Sequence, residues 1–166
     1  MNAWKSVILL SAFVLALPAT ATTDKWQDVG EGVMRYLFWD IYHAELATDT
    51  GDYRQGQHPM RLSLTYLRDI EGDDITKATL DQWRKLDRPE YVRAYKTLLK
   101  GLWPDVRSGD TLSFVTDANG QGAFYFNGEL LQRVDDPAFS DAFTSIWLSP
   151  QTTEPGLRAQ LLGGRP

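Results

Sequence analysis

The feature that most constrains this chain is where its apolar residues change period. In residues 61–68, Leu62, Leu64 and Tyr66 alternate with Arg61, Ser63 and Thr65, a period of two that fits a strand with one covered face. Upstream, residues 33–46 read as a longer first strand. Phe38, Tyr42, Ala44 and Leu46 fall on one face and Leu37, Trp39 and Ile41 on the other, so parts of it are expected to be covered on both sides. A polar, glycine-bearing connection (51–59) separates the two.

The period then lengthens to three or four. Ile75, Ala78 or Thr79, Gln82 or Trp83, and Leu86 predict a helix with Asp73 or Asp74 as its N-cap. A second helix begins near Pro89, presents Tyr91 or Val92, Tyr95, Leu98, Leu99 and Leu102, and stops at Gly101 and Pro104. Short strands are expected at 112–115 and 123–126, joined through Asp117-Ala118-Asn119-Gly120, and at 129–134. Asn127-Gly128 joins the last two, since a type I′ turn needs positive φ at both central positions. Asp136-Pro137 opens a helix whose stripe is Phe139, Ala142, Phe143, Ile146 and Trp147, and a short helix follows Pro155. Strands, helices, strands, helices describe an α+β domain: an antiparallel sheet with its helices gathered on one side.

The first residues belong to a different pattern. Lys5, an apolar run over 7–17 and Ala19-Thr20-Ala21 form the charge, core and A-x-A site of a cleavable signal. The run falls short of the roughly 20 residues of a membrane span, and no Cys follows it to carry a lipid anchor. We therefore divide the chain into a signal peptide, 1–21, and one domain, 22–166, exported to the periplasm or beyond.

Composition excludes several functions. The 17 basic and 22 acidic residues give a formal charge of −5, against the basic surface that nucleic-acid binding needs. The absence of Cys removes disulfides and thiol catalysis. His43 and His58 stand in no metal-binding spacing, and no zinc site is complete with two His alone; no metal is expected. No G-x-S-x-G elbow or dinucleotide loop occurs, so no cofactor is implied. Asp117-Ala118-Asn119-Gly120 lacks the later ligands of a calcium loop and reads as a turn.

Two groups of candidate binding residues remain. Between Arg84 and Arg107 stand seven basic residues against Asp87, Glu90 and Asp105. Arg93, Lys96 and Lys100 share one helix face, which is either a solvated face or a surface for an anionic partner. The second group comes from the aromatics, six Trp, seven Tyr and seven Phe, which fill a core and can line an apolar cavity. Tyr42, Tyr66, Arg68 and Arg35 lie on or beside predicted strands and could supply its polar groups.

Gly30-Glu31-Gly32 leading into Phe38-Trp39-Asp40-Ile41-Tyr42-His43-Ala44-Glu45-Leu46 resembles the opening strand of the chalcone isomerase-like family, in its bacterial exported branch. Leu64-Thr65-Tyr66-Leu67-Arg68-Asp69-Ile70, Phe126-Asn127-Gly128-Glu129, the segment from Asp136 to Phe143, and Ile146-Trp147-Leu148 continue the likeness. It implies an open-faced β-sandwich, a large antiparallel sheet under a layer of helices with a cleft between. It also implies where catalysis would sit. The enzymes use an Arg to position a phenolate, and a Tyr with Thr and Asn to polarise a carbonyl through water. Here the Arg position falls in Gly30-Glu31-Gly32, Tyr42 stands where the Thr would, and the Tyr and Asn positions fall near Glu71 and Ala78. That set is not visible, unless a shifted alignment makes Arg35 a substitute.

Three readings follow. The first is a non-catalytic binder of a fatty acid or other amphipathic small molecule, as the resemblance implies. The others are an isomerase or lyase on a phenolic or enone substrate, and an envelope assembly partner using the basic helix, with peripheral membrane contact. Export is tested by N-terminal sequencing of the protein recovered from its own cells. The expected first residue is Thr22, in the soluble fraction; Met1 retained in the membrane pellet would contradict it.

Overall fold

A computed structural model describes residues 25–164, so the signal segment lies outside the described residues. Six strands form one antiparallel sheet in sequence order: β1 (Gln27–Tyr36), β2 (Trp39–Thr48), β3 (Met60–Tyr66), β4 (Thr111–Thr116), β5 (Gly122–Phe126) and β6 (Glu129–Val134). Helices α1 (Gly72–Lys85) and α2 (Pro89–Leu99) sit between β3 and β4, and α3 (Pro137–Leu148) and α4 (Pro155–Leu161) follow β6. No helix among the described residues is long and apolar enough to cross a membrane.

The register puts the apolar set on one face. Leu46 pairs with Leu62, Leu62 with Phe114 and Phe114 with Phe124, and Ala44, Leu64 and Leu112 form the next row. All of these are buried. The opposite face stays open and carries hydroxyl pairs, Ser63 Oγ to Ser113 Oγ at 2.9 Å and Thr65 Oγ1 to Thr111 Oγ1 at 3.0 Å. The alternation in 61–68 is thus a half-covered strand, as its sequence predicts.

On the covered face, Phe114, Phe124, Phe139 and Phe143 meet with ring centroids 4.5–6.0 Å apart, the spacing at which aromatic quadrupoles pack well. Phe139, Ala142, Phe143, Ile146 and Trp147 are all buried, so the stripe predicted for α3 is its core face. Asp136 caps that helix by accepting from the Ala138 N–H at 3.0 Å.

Two expectations need correction. Residues 33–46 are not one strand but most of a hairpin, with Leu37 and Phe38 as the turn between β1 and β2. The run Tyr36-Leu37-Phe38-Trp39 contains no Gly, Asn, Asp or Pro, so nothing in it announces a turn. Phe38, expected on a strand face, is 97% exposed at the tip, while Tyr42, Ala44 and Leu46 do share one face. Second, α1 is capped by Glu71, which makes no side-chain capping bond; Asp73 and Asp74 lie inside the first turn. The freed N–H of Gly72 is met by Asp105 Oδ1 at 2.9 Å, a long-range partner that removes the need for a local cap.

Strand β1 began out of sight behind Gly30-Glu31-Gly32. A Cβ at Gly30 would lie 2.2 Å from the Gln160 carbonyl oxygen, and one at Gly32 would lie 2.8 Å from Leu157 Cδ1. Both glycines let α4 rest on the strand backbone.

The β5–β6 turn has φ of 50° at Asn127 and 85° at Gly128, and a Cβ on Gly128 would meet no atom within 4 Å. The penalty for Gly128→Val is therefore purely backbone strain. We expect about 1–2 kcal/mol of destabilisation, read as a lower denaturation midpoint at unchanged slope; an unchanged midpoint would contradict the turn.

Candidate functional site

Helix α1 packs chiefly on α2 and α3 rather than on the sheet. Trp83, fully buried, fixes this arrangement by donating its indole N–H to the Ala142 carbonyl of α3 at 2.8 Å. Beneath α1 lies a cavity of about 370 Å³. Its floor is the covered face of the sheet, with Tyr42, Leu64, Tyr66, Leu112 and Phe114. Its roof and far wall are Ile75 and Thr79 of α1, Ile146 and Trp147 of α3, and Trp103.

Among the polar groups of the lining, the tyrosine hydroxyls and tryptophan N–H groups are neutral donors. Trp147 donates its indole N–H to the Tyr42 hydroxyl oxygen at 2.9 Å, which leaves the phenol's own proton free to donate. Tyr42 and Tyr66 meet edge to face, with centroids 5.8 Å apart. Burial pushes both phenols well above the ordinary tyrosine range; at Tyr42 the Trp147 hydrogen bond partly opposes it and the Glu154 charge adds to it, and at Tyr66 repulsion from the Tyr42 hydroxyl group's charge adds to it. Both therefore stay protonated at any physiological pH. The Trp103 indole nitrogen is buried with no hydrogen-bond partner among the described residues. An unmet buried donor costs about 1–3 kcal/mol.

Charge is confined to other lining residues: Asp74, Asp81 and Lys85 of α1, and Glu154. Lys85 is the only cation among them, and Asp81 is paired with Arg84. No arginine is among the described lining residues.

The structure thus brings Tyr42 and Tyr66 together in the cavity and leaves Arg35 and Arg68 outside it. Arg35 is exposed on the hairpin and binds Asp40 Oδ1 through Nε at 2.7 Å. The Arg68 guanidinium lies over the Trp39 ring, 4.6 Å from its centroid. The reason is the hairpin: a turn at Leu37 and Phe38 sets Arg35 opposite Asp40 at its exposed end. Arg93, Lys96 and Lys100 are exposed on or at the end of α2 and take no part in the cavity wall. Ala78 lines the cavity with no polar group to offer, and Glu71 is exposed before α1.

Sequence reasoning missed Lys85 and Trp103. Ile75, Ala78, Gln82 and Lys85 are spaced to share a helical face, and all four line the cavity; that spacing was the available signal for Lys85. Trp103 follows the end of α2, and its unmet N–H is a tertiary fact with no sequence signature. His43, which stands in no metal-binding spacing in the sequence, sits with Glu31 and Glu45 on the open face, their ligand atoms within 4.8 Å of one another. These three could hold a metal ion, but they lie across the sheet from the cavity.

An open antiparallel sheet roofed by helices, with an apolar cavity between the layers, defines the class of protein. Residues 24–163 match the family described as chalcone isomerase-like, and the chain belongs to that family. It is 27% identical over 139 residues to an uncharacterized protein of Haemophilus influenzae, a match spanning 83% of this chain and 68% of that protein. Its fold superposes on the crystal structure of the Arabidopsis thaliana fatty-acid binding protein AtFAP1 with a TM-score of 0.63, at 13% identity, over 84% of this chain and 87% of the other. That likeness is one of fold.

Proposed function

We propose that this chain is an exported, non-catalytic binder of a fatty acid or a similarly amphipathic small molecule, held between the sheet and α1. The observation that carries the reading is the cavity itself, apolar-walled, with neutral donors inside and no arginine among its described lining residues. Its volume of about 370 Å³ is within the ~300–1,000 Å³ of small-molecule sites. A fatty-acid binding protein of the same fold supports it further. The apolar part of the ligand would lie against Leu64, Ile75 and Ile146, each buried CH₂ contributing about 0.8 kcal/mol.

The donors decide the polar end. An oxygen of the ligand would accept from the Tyr42 hydroxyl and the Trp103 indole, groups whose donating capacity the protein leaves unused. A carboxylate at Lys85 would meet Asp81, one turn back on α1 and also a lining residue, and that charge disfavours it there. The head is therefore held by hydrogen bonds rather than by an ion pair.

Calorimetry with a medium-chain fatty acid and its methyl ester tests this. Both are expected to bind, with affinities within about tenfold of each other. Tyr42→Phe and Trp103→Phe should each weaken both ligands about 5–10-fold, the value of one buried hydrogen bond. Arg35→Ala and Arg68→Ala should leave both affinities unchanged. Strong preference for the acid, abolished by Lys85→Met, would place the head at the lysine instead. Failure of both ligands to bind at high micromolar concentration would sink the binder reading.

A further inference from the structure

The tip of the β1–β2 hairpin breaks the rules the rest of the fold obeys. Tyr36, Leu37, Phe38 and Trp39 are consecutive, and they are 62, 76, 97 and 59% exposed. A run of four exposed apolar residues is unfavourable for a soluble surface unless it serves a function. The backbone adds to the anomaly, since Leu37 sits at φ 55°, a region uncommon for any side chain but Gly and Asn. The same chain solves the same problem differently at its other two-residue hairpin, where Asn127 and Gly128 occupy the positive-φ positions and are exposed. Folding therefore does not require Leu37 or Phe38.

The surroundings match a lipid interface. Leu67, 43% exposed, extends the apolar patch, because its N–H donates to the Ile41 carbonyl at 2.9 Å and sets it beside β2. Arg68 stacks on Trp39 at the base of the tip, which puts a cation behind the aromatics as headgroup phosphates would require. Arg35 and Asp40 pair across the base, so the one carboxylate in residues 35–40 is neutralised where the tip would insert. Tyr and Trp are enriched at the membrane–water boundary, and Leu37 and Phe38 add apolar surface at the point of the tip. Five protruding side chains are far fewer than the ~20–30 residues per side of a stable protein interface, which favours a bilayer over a second protein.

The hairpin is also continuous with the cavity: Met34, Tyr36, Ile41 and Tyr42 are among its lining residues. We propose that the Tyr36–Trp39 tip inserts into the interface of a lipid bilayer, so that the cavity exchanges its ligand with the membrane directly. The exchange rests on the binder reading above; the insertion does not.

The test uses residues 22–166, which include every described residue, with vesicles of phosphatidylcholine and phosphatidylglycerol. The parent should co-sediment with them. Leu37→Gly combined with Phe38→Ser should lower the partition coefficient at least tenfold, because Gly suits the positive φ and the apolar tip is gone. Its thermal midpoint should be equal or higher. Phe38→Ser alone, at a position with nothing to lose from the core, should give at least a threefold loss and guards against misfolding of the double variant. In solution, fatty-acid affinity should be unchanged in both variants, whereas transfer from donor vesicles should slow in step with partitioning. A parent that stays in the supernatant, or a double variant that sediments equally, overturns the inference. So does a concentration-dependent dimer that the double variant abolishes without any vesicle binding, which would make the tip a contact between copies of the chain. Acid binding without sedimentation would defeat only the membrane inference; sedimentation without acid binding would defeat only the binder reading.

Discussion

The hydrogen bond from Trp83 to the Ala142 carbonyl, 2.8 Å long and fully enclosed, underlies the rest of this structure. It joins α1 to α3, and the Trp83 ring meets Tyr91 and Tyr95 of α2 and Phe139 of α3. The helices thereby form a layer held by its own contacts. A helix that relied on the sheet for burial would settle on it and fill the space beneath. Because Trp83 supplies that burial from within the layer, α1 spans the sheet without collapsing onto it.

The cavity that results inherits its chemistry from the sheet face below. Alternation places Tyr42 and Tyr66 among Leu and Phe on that face, and burial keeps their phenols neutral. Among the described lining residues, the Trp147 N–H and Thr79 hydroxyl are already bonded within the protein, the Tyr42 and Tyr66 hydroxyls and the Trp103 N–H are not shown donating, and the charges sit on α1 and near α4. Such a site can hold an apolar body by one oxygen. Family membership alone does not choose between binding and catalysis.

Much of the fold was legible because local and tertiary preferences agree there. The α3 stripe, its Asp136 cap and the Asn127-Gly128 turn each follow from short-range rules and appear as expected. The β1–β2 hairpin was hidden because Leu37 and Phe38 satisfy a strand pattern while forming a turn. That misreading carried Arg35 toward the site in the sequence and away from it in the structure. Lys85 was masked by the basic residues around it, which drew attention to Arg93, Lys96 and Lys100 on the exposed side. The glycines at 30 and 32 looked like the loss of a catalytic arginine, but the closeness of α4 explains them by packing.

The central claim is that a ligand oxygen occupies the space between the sheet and α1, against donors the protein leaves unmet. Trp103 reports on it, since its indole N–H is buried without a partner. In a ¹⁵N–¹H spectrum, with the indole resonance assigned through Trp103→Phe, titration with a fatty acid should move that proton saturably downfield as it gains an acceptor. The Trp26 indole, remote from the cavity lining, should stay in place. A Trp103 resonance that does not move while the ligand saturates the protein would contradict the account, and would put the binding site elsewhere.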